Sequence, residues 1–237
     1  MNKFIRAFTF GIFALVPMLT LAASSGVHLD KAGNDLSDKE SLKRGFQSYI
    51  NYCLGCHQLQ YQRYNRTFED LGISEADGIA NYMYTGEKVG DHITNTMPAK
   101  DAAKWFGNTP PDLTLMARLK PGPDYIYTYL RSFYVDPERP FGVNNTVLKN
   151  AGMPHVLQGL QGVRTMDENG NLSEATGGSM TVEEYDAFAR DLANFLEYIG
   201  EPSKLKREAM GYWVIGFLFI FLIFAYLLKV EYWKDVH

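Results

Sequence analysis

Apart from one closely spaced pair, Cys53 and Cys56, the 237-residue sequence contains no cysteine. A fold stapled by several disulfides is therefore excluded. Histidine is scarce as well, and outside His57 it occurs singly, at His28, His92, His155 and His237. A structural zinc site has no second pair of ligands at usable spacing. There is no excess of positive charge: 23 basic residues face 27 acidic ones, for a formal net charge of −4. That balance argues against a nucleic-acid partner. No segment repeats, and uncharged apolar runs occur only near the two ends of the chain.

What is present is concentrated in Cys53-Leu54-Gly55-Cys56-His57. C-x-x-C-H is the attachment signature of c-type haem, in which two thiols add to the porphyrin vinyl groups and the following imidazole binds iron. Two intervening residues let both sulfurs reach one porphyrin edge. A redox dithiol has no use for the histidine and would sit in a βαβ context, which this sequence lacks. The motif predicts one covalently bound haem c that carries single electrons.

The ends of the chain predict where it resides. Lys3 and Arg6 precede an apolar run from Ala7 to Leu21, and Ala22-Ala23-Ser24-Ser25 follows. This is the layout of a secretory signal peptide over residues 1–23, and Pro17 interrupts the run too early for a membrane span. Near the other end, Met210 to Leu228 is uncharged for about nineteen residues, enough to cross a hydrocarbon core of roughly 30 Å. Tyr212, Trp213, Tyr226, Tyr232 and Trp233 flank it as interfacial aromatics do. Lys204, Lys206 and Arg207 before the span outnumber Lys229 and Lys234 after it, a mild bias against an exported head. The export signal overrides that bias. The expected layout is a periplasmic haem domain over 24–205, an anchor over 206–229 and a cytoplasmic tail over 230–237, in a bacterial inner membrane. Loss of Lys3 and Arg6 moves the net charge from −4 to about −6, which suits a basic partner.

Within the exported region the pattern is mainly α-helical. Ser37-Asp38-Lys39-Glu40 reads as a capping box, and Leu42, Phe46, Tyr49, Ile50 and Cys53 then recur on one helix face. A second helix is predicted over 74–85. A third, over 113–119, has Asp112 as its N-cap, and a fourth runs over 125–134. Residues 135–180 read as a long loop rich in Gly, Pro and Asn, with a small hairpin at the Asn169-Gly170 turn. Thr181-Val182-Glu183-Glu184 is a second capping box that opens the last soluble helix, closed by Gly200-Glu201-Pro202. The expected fold is a cytochrome c-like haem domain with long loops and a small β-hairpin, plus one C-terminal transmembrane helix.

His57 leaves a second axial position to be filled, and a methionine thioether is the usual partner in an electron carrier. Met83 and Met116 lie on helix faces, Met210 lies in the anchor and Met166 stands beside the turn. Met97 and Met153 each precede a proline in a loop, and Met180 follows Gly177-Gly178-Ser179 directly before the last helix. Small residues permit close approach to a porphyrin face, which favours Met180. Met153, Met97, His92 and His155 remain alternatives.

In order along the chain, Cys53-Leu54-Gly55-Cys56-His57, Pro110-Pro111-Asp112-Leu113 with Arg118, Asp124-Tyr125, Gly178-Ser179-Met180, Phe195-Leu196, Glu201-Pro202 and Arg207 with Met210-Gly211 resemble the cytochrome c1 family. The resemblance covers nearly all of the expected mature chain. It implies thioether links at Cys53 and Cys56 and axial ligation by His57 and Met180. It further implies haem-lining contacts from Pro110 and Pro111, and a propionate partner in Arg118. Tyr125 is expected as a pocket aromatic. The resemblance also implies a place in a dimeric quinol–cytochrome c reductase beside cytochrome b and a Rieske iron–sulfur subunit, with electrons passed to a soluble cytochrome c. Glu168, Glu174, Glu183, Glu184 and Asp186 are candidates for a docking face. The rival readings are a membrane-anchored haem peroxidase with open iron, the cytochrome subunit of a terminal oxidase, and a haem-free binding domain.

Overall fold

The computed structural model describes residues 27–119 and 121–234. The expected signal peptide and the end of the tail lie outside the described residues. Eight helices are described. They are α1 (Lys39–Tyr52), α2 (Tyr64–Leu71), α3 (Glu75–Asn81), α4 (Ala99–Phe106), α5 (Pro123–Arg131), α6 (Gln158–Gln161), α7 (Val182–Gly200) and α8 (Lys204–Tyr232). Three small antiparallel pairs complete the fold: β1 (Leu59–Arg63) with β2 (His92–Ile93), β3 (Phe133–Val135) with β4 (Val143–Asn145), and β5 (Gly162–Val163) with β6 (Thr176–Gly177). This is the mainly helical architecture that the sequence predicts, with three strand pairs where one small hairpin is expected.

The frame is the crossing of α1 and α7, and one glycine sets how closely they approach. A Cβ at Gly45 would meet the backbone oxygen of Asp191 at 2.1 Å and the Phe195 Cβ at 2.6 Å. The bare backbone lets Phe46 stack on Phe195, with ring centroids 5.1 Å apart. Beside this contact Arg44 grips Asp191 through two hydrogen bonds of 2.6 and 3.0 Å, and the Ser41 hydroxyl donates to the same carboxylate at 2.7 Å. Leu42, Phe46, Tyr49 and Ile50 are buried as the α1 periodicity requires.

Several predicted boundaries move, each for a local reason. Asp38 rather than Ser37 caps α1, its carboxylate accepting from Ser41 N at 3.0 Å, because Ser37 is already bonded to the Asp35 carboxylate. The helix expected over 74–85 ends at Asn81, with Ser74 as its N-cap. The third predicted helix is only a 3₁₀ turn at Met116–Arg118: one Asp112 oxygen accepts from Thr114 N two residues on, but the other is taken by Gln60 N of a distant segment. The fourth gives way to β3 after Arg131. The capping box of α7 is formed as predicted, with Thr181 N donating to Glu184 at 2.8 Å and Glu184 N to Thr181 at 3.2 Å. Gly170 adopts φ 85° in the expected turn, closed by the Met166–Leu172 bridge. The sequence pattern predicts none of α2, α4 and α6.

The head also holds its own N-terminal segment. Asp124 accepts from Lys31 Nζ at 2.7 Å and from Ala32 N at 2.9 Å, while Arg131 pairs with Asp30 at 2.6 Å. At the other end, α8 has 29 residues, an apolar window of mean hydropathy 2.4 and no buried residue. At 1.5 Å per residue it is about 43 Å long, sufficient to cross a bilayer. Lys204 pairs with Glu197 at 2.6 Å, and both Arg118 and Arg207 pair with Glu201. Two of the three bases that oppose the positive-inside bias are thereby tied to carboxylates of the head.

Candidate haem site

The α1 helix ends at Cys53, and the next residues fold back on it: Cys56 N and His57 N both donate to the Cys53 carbonyl, at 3.0 and 2.8 Å. The chain then runs alongside Pro110-Pro111-Asp112-Leu113. Leu113 N donates to the Gln58 carbonyl at 2.9 Å. The Asp112 carboxylate accepts from Gln60 N at 2.8 Å and from Thr114 N at 2.9 Å. The P-P-D-L segment is therefore a brace for the residues after the haem motif.

That brace sets the chemistry of His57. Its Nδ1 lies 2.7 Å from the Pro111 carbonyl oxygen. A carbonyl can only accept, so Nδ1 carries the proton and Nε2 keeps its lone pair for a metal. Burial lowers the His57 pKa, against the opposing pull of the Pro111 carbonyl and Asp112, which favours the neutral ligand form. Burial also pushes the Cys53 thiol up to about 12 and raises Cys56. A redox-active dithiol needs the opposite shift. Among the described residues no group of three or more His, Cys, Asp or Glu side chains stands ready for a metal, so the zinc reading gains no support.

Cys53, Cys56 and His57 open on one cavity of about 330 Å³, within the range of small-molecule and cofactor sites. Its walls are mostly apolar. Pro110, Pro111 and Leu113 come from the brace, Met116 from the 3₁₀ turn after it, Tyr125, Tyr129 and Leu130 from α5, and Leu192 and Leu196 from α7. Phe106, Leu148, Gly152, Met153, Pro154 and Val156 also line it, with Tyr52, Asn108, Thr109 and Ile126. Two thiols, an imidazole with its metal-binding nitrogen free and the thioethers of Met116 and Met153, all on one apolar cavity, include the donor set a c-type haem requires.

Six of the eight residues expected at the site, Cys53, Cys56, His57, Pro110, Pro111 and Tyr125, are brought together here. Met180 is not. The small residues before it do make a close approach, but to protein: a Cβ at Gly178 would lie 2.4 Å from the Leu160 oxygen and the Gln161 carbonyl carbon. Ser179 N and Met180 N then bond to the Gly159 and Leu160 carbonyls, at 3.0 and 3.1 Å. This holds Met180 against α6 and the core. Arg118 is also outside the wall, its guanidinium engaged by Glu201 and half-exposed. His92, His155 and Met97 are absent from the wall too. His155 stacks on Phe133 with ring centroids 4.7 Å apart.

Sequence reasoning passed over the residues that carry Met153 to the cavity. The fully buried Asn145 donates to the Tyr129 carbonyl at 2.8 Å and accepts from Val147 N at 2.9 Å. Asn144 accepts from Asn150 N at 2.8 Å. Gly152 then lets the chain pass Phe106, whose oxygen would be 2.6 Å from a Cβ there. Consecutive asparagines read as loop composition in a sequence; here they are the loop's internal scaffold.

The family model for the Cytochrome C1 family matches residues 33–236. The chain is similar to cytochrome c1 of Allochromatium vinosum, 49% identical over 94% of this chain and 96% of that protein. It is similar, at 45% identity over 94% of this chain and 95% of the relative, to a Nitrosomonas europaea protein named ammonia monooxygenase gamma subunit. Cytochrome c1 of Blastochloris viridis is 27% identical over 84% of this chain and 82% of that protein. The match spans the motif, the cavity and the C-terminal helix, and the chain belongs to the cytochrome c1 family, membrane-anchored electron-transport proteins of cytochrome bc complexes that carry a covalently bound haem c.

Proposed function

We propose that this chain relays single electrons from an iron–sulfur protein to a soluble cytochrome c within a respiratory quinol–cytochrome c reductase. Its neighbours in that dimeric complex are cytochrome b and the Rieske subunit. Residues 1–23 direct export, 24–205 form the haem domain on the periplasmic side of a bacterial cell membrane, 206–229 anchor it and 230–237 remain inside. The chain is not an enzyme by itself, since no substrate bond is made or broken at this site.

The observation that carries this reading is the placement of Cys53, Cys56, His57 and Met153 on one apolar wall. When bound, the haem supplies reversible one-electron chemistry. The residues of the chain would bind and tune it: Cys53 and Cys56 would fix it through thioethers, and His57 would offer Nε2 because Pro111 holds Nδ1. Met153, which lines the cavity, rather than Met180, would supply the thioether that holds the iron together with His57. Met116 shares the wall, but it sits on the 3₁₀ turn packed into the core. A thioether ligand and an apolar, water-poor pocket both raise the reduction potential.

An acidic docking face is narrower than the sequence suggests. Asp186 is committed to Arg131 through bonds of 2.5 and 2.8 Å, and Glu184 closes the α7 capping box. Glu168, Glu174 and Glu183 remain exposed for a basic acceptor. Neutralising those three should reduce both the rate with a basic cytochrome and its dependence on ionic strength.

The reading is tested on the full-length protein in detergent. A pyridine haemochrome spectrum typical of thioether-bound haem, a low-spin iron in both oxidation states and little carbon monoxide binding support it. High-spin ferric iron with rapid carbon monoxide binding would replace it with the peroxidase reading. Copurification of cytochrome b and an iron–sulfur subunit separates the reductase from an oxidase.

A further inference from the structure

Tyr49 is fully buried one turn before the end of α1, and it grips both ends of the haem-attachment segment. Its backbone carbonyl accepts from Cys53 N and from Leu54 N, each at 2.9 Å. Its phenol reaches past the loop and donates to the His57 carbonyl at 2.6 Å. Phe195 flanks the ring, with centroids 5.9 Å apart. His57 is thus held at two points, by Tyr49 at its backbone and by Pro111 at its ring.

We propose that Tyr49 is a positioning residue for His57, fixing the orientation of the imidazole and thereby the reduction potential of the bound haem. The inference rests on the haem reading above. A buried carbonyl that loses its donor must find another or shift. Among the described residues no other side chain donates to that oxygen, so its relaxation turns the ring and lengthens the Nδ1–H bond to Pro111. That bond lends the imidazole electron density, which favours the ferric state. Weakening it should raise the potential.

The test compares wild type, Tyr49→Phe and Tyr198→Phe, all full-length. Tyr198 is a second buried phenol of the same core, donating to Asp70 at 2.9 Å and absent from the cavity wall. A pyridine haemochrome assay comes first, because wild type without covalent haem would overturn the function itself. With haem attached, Tyr49→Phe should raise the reduced-to-oxidised ratio at fixed ambient potential by about three- to tenfold. The upper limit corresponds to about 59 mV for one electron. The low-spin electron paramagnetic resonance g-values should move with it, and Tyr198→Phe should change neither. A Tyr49→Phe potential and g-values equal to wild type, or the same shift in Tyr198→Phe, would overturn the proposal. If Tyr49→Phe does not accumulate, wild type labelled with carbonyl-¹³C histidine gives the answer by infrared difference spectroscopy. A hydrogen-bonded histidine carbonyl band that moves with oxidation state supports the role, and a silent one overturns it.

Discussion

The Nδ1 of His57 and the backbone oxygen of Pro111 stand 2.7 Å apart, joining the haem motif to a segment 54 residues later. The carbonyl keeps its place because the next residue, Asp112, binds Gln60 N and Thr114 N with its two oxygens. Replacing Asp112 with Ala removes both bonds and leaves two amides to find water. The expected cost is about 1–3 kcal/mol, read as a lower midpoint in chemical denaturation. Haem should stay attached while the His57 signature in the low-spin spectrum broadens; an unchanged midpoint would show that the brace is redundant.

Met153 and Met180 give opposite expectations for the same substitution. Met153→Leu removes a thioether from the cavity wall, so the iron should lose its low-spin methionine signature and begin to bind carbon monoxide. Met180→Leu alters a side chain packed on the core beyond the cavity, and its spectra should match wild type with at most about 1.5 kcal/mol lost in stability. If Met180→Leu alone abolished the signature, the assignment would revert to Met180.

The difference between those two methionines shows what the sequence could and could not reveal. The strongly local signals were legible: the C-x-x-C-H spacing, the Thr181 capping box, the apolar run of α8 and the face of α1 that carries Phe46 and Tyr49. Each is fixed by neighbours within a few positions. The glycine-rich approach to Met180 is also a local signal, but one that says only that something passes close by. In the fold that something is the backbone of Leu160 and Gln161. Asp112 shows the same limit: it bonds Thr114 N as an N-cap would, but its other oxygen is taken by Gln60, 52 positions away. Contacts over such separations leave no periodicity behind.

The α1–α7 crossing supplies a stability prediction independent of haem. Gly45→Ala would put a methyl group 2.1 Å from the Asp191 oxygen, a backbone atom that cannot rotate away. The helices must separate, loosening the Phe46–Phe195 stack and the Arg44–Asp191 pair together. Overpacking of this kind costs about 1–3 kcal/mol, and the loss of neighbouring contacts places the variant at the upper end. Thermal unfolding of the full-length protein checks it: a Tm within a degree of wild type would mean that the helices separate freely.

Asp124 predicts how the N-terminal strap responds to acid. Burial acts to raise its pKa, but the Lys31 ammonium and the Ala32 amide outweigh it and hold the carboxyl below its ordinary value. A carboxylate with a depressed folded pKa contributes stability that is fully present above the unfolded value, about 3.9. It is lost as pH falls through the lower folded value. Lys31 is almost fully exposed, so its ion pair with Asp124 is screened and weak; the larger share comes from the bond to the part-buried Ala32 amide. Asp124→Ala should therefore cost about 1–2 kcal/mol near neutral pH. The gap to wild type should change little down to about pH 5, then close as the medium is taken below the usual carboxylate range. Denaturation midpoints of the two proteins across that interval decide the matter. A gap that stays constant into strong acid would mean that the Asp124 side chain acts through packing alone, and that the strap is held by Arg131 and Asp30.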